Sequence, residues 1–287
     1  MLGRKIKKLK NWLQNRHNLQ LFRLRLAEDR QKTALYRAVL ISHELSATGA
    51  PLMLLAAAEA ILADGGSVRV LAYMDGPLRE KFEKLGIPVF YHPGFRDNAR
   101  LLNEFGGDCA YAVANTAVAY PAVSLLKGPR VLWWIHEAQV IEKDYIARFR
   151  QKKFRPDLEQ TLRQAGKLAV VSDYAREIAA KYNPRVEVIH PAVADVAKEQ
   201  GLQPKQPAEK IRFAMLGAVC EIKGQDVLLK AVRLLPAAYR AQAEFHIAGR
   251  RDGAFAEDLA AESGDLPEVV WEESRSRDNL WDFYREN

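Results

Sequence analysis

The apolar run Val131 to Ile135 ends in His136 and Glu137. An imidazole and a carboxylate that leave a buried strand together can bind a polar substrate or exchange a proton. The same spacing fits a satisfied near-core histidine beside a loop-capping glutamate, and spacing alone does not separate the two. A second candidate is "HELSATGAPL", residues 43–52, which follows another apolar run. Gly49 gives free backbone geometry and close approach, Ser46 and Thr48 suit helix capping, and Pro51 fits a first helical turn, where its missing N–H is not needed. The free amides and dipole of a helix start attract anions. Every strand-to-helix turn shares that property, however, and the spacing is not the dinucleotide fingerprint G-x-G-x-x-G. The third candidate is "LGAVCEIKGQD", where Gly217, Glu221, Lys223 and Gly224 precede a helix. A lysine beside free amides is a phosphate-binding arrangement, although the P-loop spacing is absent and a surface lysine in a tight turn reads the same way. No cluster has metal-ligand spacing, no Ser-His-Asp order is supported by a G-x-S-x-G elbow, and neither a metal nor a cofactor is expected.

The elements that must carry these loops follow from apolar patterning. "AVLIS", "VRVLAY", "PVFYH", "CAYAVAN", "VLWWIH", "LAVVS" and "VEVIH" alternate with helix-like segments, the pattern of a parallel, doubly wound α/β domain. The runs are continuously apolar, as in strands covered on both faces, and such sheets bind ligands at the C-terminal ends of their strands. Ser172 and Asp173 are expected to cap a helix after "LAVVS". Residues 194–210 are polar, with Pro204 and Pro207, and predict a linker. After it the rhythm restarts with strands "IRFAMLG", "EFHIAG" and "EVVWE" and a last helical piece, "RDNLWDFYREN". The expected organisation is an N-terminal arm at 1–37, a Rossmann-like domain at 38–193, a linker at 194–210 and a partial second Rossmann-like domain at 211–287. Three parallel strands leave sheet edges open.

Composition narrows the class. The chain has 287 residues, 48% of them hydrophobic, enough for one large domain or two medium ones. Cys109 and Cys220 lie far apart in apolar contexts, which suits reduced thiols and a cytoplasmic location. No run approaches the ~20 apolar residues of a membrane span. The net charge of +7 belongs to the arm, because residues 1–37 hold 11 Lys and Arg against Glu28 and Asp29. Leu2, Ile6, Leu9 and Leu13 recur at helical spacing with Trp12, surrounded by Arg4, Lys5, Lys7, Lys8 and Lys10. Such a helix over residues 1–26 lies on an anionic membrane at its inner face, or it packs as a solvated helix on the main body; both readings stand. Nucleic acid is not expected as a partner, since no binding module follows the arm and the rest of the chain is slightly acidic.

Taken together, these motifs resemble the group 1 (family 4) glycosyltransferases of the GT-B fold, from about residue 38 to the end. "ISHELSATGAPLMLLAAAEAILADGGSVRVLA", "DGPLREKFEKLGIPVF", "WWIHE", "VVSDYARE", "VEVIHPAV" and "FAMLGAVCEIKGQDVLLKAVRLL" occur in the family's order. The resemblance implies two Rossmann-like domains facing each other across a cleft. The second would bind a nucleotide-diphosphate sugar and the first a glycan or lipid-linked acceptor, with retained anomeric configuration and no required metal. It implies Gly49, Gly217, Lys223 and Gly224 at the donor phosphates, His136 at the transferring sugar as the catalytic candidate, and Thr48 and Glu137 at acceptor or sugar. The effect at the diphosphate would be electrostatic. Two departures stand out. Ala218 occupies the place where the family commonly has arginine, and no pair of glutamates eight positions apart follows Lys223. The expectation is a second domain truncated before that pair.

Two functions from different classes follow. The first is a glycosyltransferase of cell-surface polysaccharide synthesis; the second is a truncated or degenerate GT-B-like protein that binds an acceptor or partner without turnover. A nicotinamide-dependent Rossmann enzyme is disfavoured by the missing fingerprint.

Overall fold

Each of the ten apolar runs forms a parallel strand. The structure, a computed structural model, describes residues 2–141, 155–192, 209–274 and 283–284, with the side chains of 2–13, 139 and 155–157 outside that description. Nearly all of the polar segment at 194–210, and the last helical piece apart from 283–284, therefore lie outside the described residues. The chain divides into two compact units, Met1–Ala194 and Asp195–Asn287.

In the first unit, strands β1 (Arg37–Ser42), β2 (Ser67–Ala72), β3 (Val89–Tyr91), β4 (Tyr111–Asn115), β5 (Arg130–Ile135), β6 (Lys167–Val170) and β7 (Glu187–Val188) form one sheet in the order β3-β2-β1-β4-β5-β6-β7. The order reverses between β1 and β4, a topological switch point, the place where open α/β sheets bind ligands at the strands' C-terminal ends. Alternation along the strands fills both faces. Val39 and Ile41 pack with Leu71, Phe90 and Phe105, whereas Leu40 packs with Val70, Leu54, Ala58 and Phe82. Leu54 and Ala58 belong to helix α2 (Gly49–Ala63), whose sequence, apolar except for Glu59, suits its place against the sheet.

The N-terminal segment forms a 29-residue helix, α1 (Leu2–Arg30), as its periodicity predicts. Phe22 and Leu26 are buried against Phe90, so this part of the arm is built into the first unit. A charged lock holds its end. Arg69, fully buried on β2, donates to Asp29 from Nε at 3.0 Å and Nη2 at 2.8 Å, and from Nη1 to Asp108 at 2.7 Å. Burial opposes charge on Asp108, but bonds and attraction from Arg69 and Arg30 outweigh it and hold the carboxyl below its ordinary range.

The second unit holds a three-stranded parallel sheet, β10-β9-β8, made of β8 (Ile211–Leu216), β9 (Ala243–Ala248) and β10 (Val269–Glu272). Its core joins Phe245 and Ile247 to Leu229, Val232 and Leu259. Among the described residues β8 and β10 are each paired on one side only.

Candidate functional site

At the switch point, three strand ends meet. In the β4–β5 register Asn115 lies opposite Trp134, and in the β1–β4 register Ile41 lies opposite Ala114. His43, Asn115, Thr116 and His136 therefore arrive at one sheet edge from three strands. Asn115, completely buried, donates from Nδ2 to the carbonyl of Ala50 at 3.0 Å, and its Oδ1 lies 2.9 Å from His136 Nε2. It thus ties the Gly49 loop to His136. Thr116 Oγ1 lies 3.2 Å from His43 Nδ1.

Thr116 has φ 75°, alone among the described non-glycine residues in adopting a positive value. That conformation disfavours a β-branched side chain by roughly 1–3 kcal/mol and persists only when the surroundings over-determine it. They do so here. Its N–H donates to the Trp134 carbonyl at 2.8 Å, and its own carbonyl accepts the Trp133 indole N–H at 2.8 Å.

His136 is half-buried, and burial lowers its pKa from 6.5 to about 4, so the ring is neutral at physiological pH. The Trp134 ring lies 4.6 Å away, centroid to centroid. Glu137 Oε2 accepts the Ala117 N–H at 3.1 Å, so its carboxylate fixes the turn after β4. The structural reading of "WWIHE" is realised, since the pair is hydrogen-bonded into the fold, and the pair stands at the C-terminal edge of the sheet.

The loop before α2 departs from the expected capping. Thr48 occupies the N-cap position without a side-chain bond to the helix. Instead Ser46 Oγ donates to Glu44 Oε1 at 2.6 Å and lies 2.8 Å from Thr48 Oγ1, so the hydroxyls satisfy one another and Glu44. Gly49 adopts no left-handed conformation, and a Cβ there would meet nothing within 4 Å. Its missing side chain leaves the approach to the loop open. Ser172, in contrast, caps its helix as expected, accepting the Ala175 N–H at 3.2 Å.

In the second unit Gly217, Lys223 and Gly224 come together. Lys223 closes a 3-10 turn, Glu221–Lys223, and Gly224 takes the left-handed conformation at φ 75° before the helix Gln225–Leu234. Gly217, at φ 152°, lies about 4 Å, measured from an added Cβ, from the Lys223 methylenes. A neighbouring loop was missed by sequence reading. Gly249 presses on the Gly217 carbonyl so closely that any side chain there would collide. The next residue, Arg250, accepts the Val219 N–H at its carbonyl at 2.9 Å. Arg250 pairs with Asp252 at 2.8 Å in an exposed position, so a second cation stands on the loop beside Ala218. The "GRRDG" run after an apolar strand was its signal. No group of described residues has the makings of a metal site.

Comparison with known proteins agrees with this architecture. Similar solved structures include Anabaena Alr3699/HepE in complex with UDP, at 14% identity and TM-score 0.61, covering 84% of this chain and 70% of that one. A glycosyltransferase from Rickettsia africae has 12% identity and TM-score 0.58, covering 87% and 71%. The OtsA apo structure has 12% identity and TM-score 0.56, covering 87% and 76%. At these identities the likeness is one of fold, and the fold is GT-B. No curated protein matches the sequence. The model of Glycosyl-transferase family 4 matches residues 36–194, more than half of the chain and the whole of the seven-stranded sheet, and the protein belongs to that family.

Proposed function

We propose that this chain transfers a sugar, with retained configuration, from a nucleotide-diphosphate sugar to a glycan or lipid-linked acceptor in cell-surface polysaccharide synthesis. The observation that carries the reading is the Lys223 loop. A lysine stem lying along a glycine, just ahead of a helix, puts a cation and backbone amides at one sheet edge. An anionic diphosphate is the group such a point suits, and the positive charge would stabilise it as it departs. Complexes with UDP and with UDP-glucose among the similar folds support a uridine donor. His136, Thr48 and Glu137 are assigned to sugar and acceptor, and Gly49, Gly217 and Gly224 to close approach by phosphate. We assign the protein to the cytoplasm, with the first half of α1 resting on anionic lipid; the second half already has the protein as its partner.

Calorimetric titration of the full chain with UDP-glucose and UDP tests this. Binding by the wild type and a loss of about 10- to 100-fold in Lys223→Ala are expected, the worth of a charge-assisted bond of ~1.5–3 kcal/mol. Absence of binding to any nucleotide-diphosphate sugar would overturn the assignment in favour of an acceptor-binding protein without turnover.

A further inference from the structure

We infer that Asn115 is a positioning residue that holds His136 as the Nε2–H tautomer, so that the imidazole offers the sugar only a lone pair at Nδ1 and selects a hydroxyl over a carboxylate at that contact. The selection clause rests on the proposed sugar-transfer function; the tautomer clause does not.

The assignment follows from what each atom can do. Asn115 Nδ2 faces the Ala50 carbonyl at 3.0 Å, and a carbonyl can only accept. Turning the amide over would set two oxygens against each other at that distance. Oδ1 is therefore the atom 2.9 Å from His136 Nε2. Because Oδ1 can only accept, Nε2 must carry the proton, and in a neutral ring Nδ1 is then a bare acceptor. Among the described residues Nδ1 has no hydrogen-bond partner of its own, and the adjacent carboxylate of Glu137 is turned to the Ala117 N–H.

The surroundings keep Asn115 from adjusting. It is fully buried, and the next residue is the strained Thr116, fixed through N–H, carbonyl and hydroxyl to Trp134, Trp133 and His43. A ring held this way meets a hydroxyl as acceptor to donor. Against a carboxylate it sets two acceptors together, unless the ring takes up a proton that its burial opposes.

Long-range proton–nitrogen NMR of the histidine-labelled full chain near neutral pH, with His136 identified by its loss in His136→Gln, tests the first clause without ligand. A protonated Nε2 with an unprotonated Nδ1 is expected, and Asn115→Leu should mix in the other tautomer. A wild-type ring protonated at Nδ1, or at both nitrogens, overturns the inference even if the variant fails to fold. For the second clause, UDP-glucose and UDP-glucuronic acid are compared, since they differ only in a hydroxymethyl against a carboxylate. At least a tenfold preference for UDP-glucose is expected in the wild type, and the ratio of the two affinities should fall in Asn115→Leu. Equal affinity for the two sugars overturns the selection. Failure of both to bind removes the proposed function, while the NMR result still decides the role of Asn115.

Discussion

Lowering the pH should destabilise the first unit through His136, and by a predictable amount. The folded ring resists protonation down to a pKa of about 4, while the unfolded chain has an ordinary histidine near 6.5. Above pH ~6.5 neither state binds the proton, so the group has no effect on stability. Between about 6.5 and 4 the unfolded state binds a proton that the folded state refuses, so stability falls as pH falls and levels off below about 4. The full shift of about 2.5 units would amount to roughly 3 kcal/mol, and discounting for the ring's partial exposure leaves about 1–2 kcal/mol. Urea unfolding of wild type and His136→Gln at about pH 7.5 and about pH 4.5 measures it. Glutamine keeps an N–H for Asn115 but cannot titrate, and every other acid and base is common to both proteins. Wild type should lose about 1–2 kcal/mol more than the variant over this interval. Equal losses would refute the reasoning and mean that the ring is solvated like an unfolded one.

Three further outcomes follow from particular contacts. Asp29→Ala should cost about 1–3 kcal/mol in urea unfolding, because it removes the acceptor of the buried Arg69 Nε and leaves that guanidinium only Asp108 and the Phe105 carbonyl, whereas Arg69→Met combined with Asp29→Leu should cost clearly less. Gly49→Val should change stability by less than about 0.5 kcal/mol, since the space is open, yet weaken donor binding measured by calorimetry if a ligand approaches there. Gly249→Ala should destabilise the second unit by about 1–3 kcal/mol and weaken UDP binding, because its Cβ would displace the Gly217 carbonyl and the Lys223 loop with it.

How much of this was legible depends on the range of the interactions. The strands were readable because burial on both faces of a parallel sheet demands unbroken apolar runs, and the chain supplies them. The place of His136 was readable for the same reason, since it stands where such a run stops. Asn115 and Thr116 were not. In "CAYAVANTA" they look like an ordinary polar strand end, and their importance arises only when β4 pairs with β1 and β5 and brings residues 21 and 73 positions away within hydrogen-bond reach. Thr48 misled for a local reason. A threonine before a helix is a good capping residue in isolation, but here Ser46 and Glu44 compete for the same hydroxyls. Arg69 did announce itself, as a charge inside "VRVLA", yet its partners Asp29 and Asp108 lie 40 and 39 positions away.

The two candidate sites also differ in electrostatic character, and the difference bears on the kind of group each would take. In the first unit charge is suppressed: burial keeps His136 neutral, and Glu137 is engaged by a backbone amide. In the second unit charge is displayed: Lys223 is exposed, and Arg250 is held by one exposed carboxylate, a pairing of ~0–1 kcal/mol that a phosphate can displace. A neutral polyhydroxyl group suits the first environment and a diphosphate the second. On the proposed function, Lys223→Ala should therefore weaken UDP and UDP-glucose alike, whereas His136→Gln should weaken UDP-glucose and leave UDP unchanged in calorimetric titration.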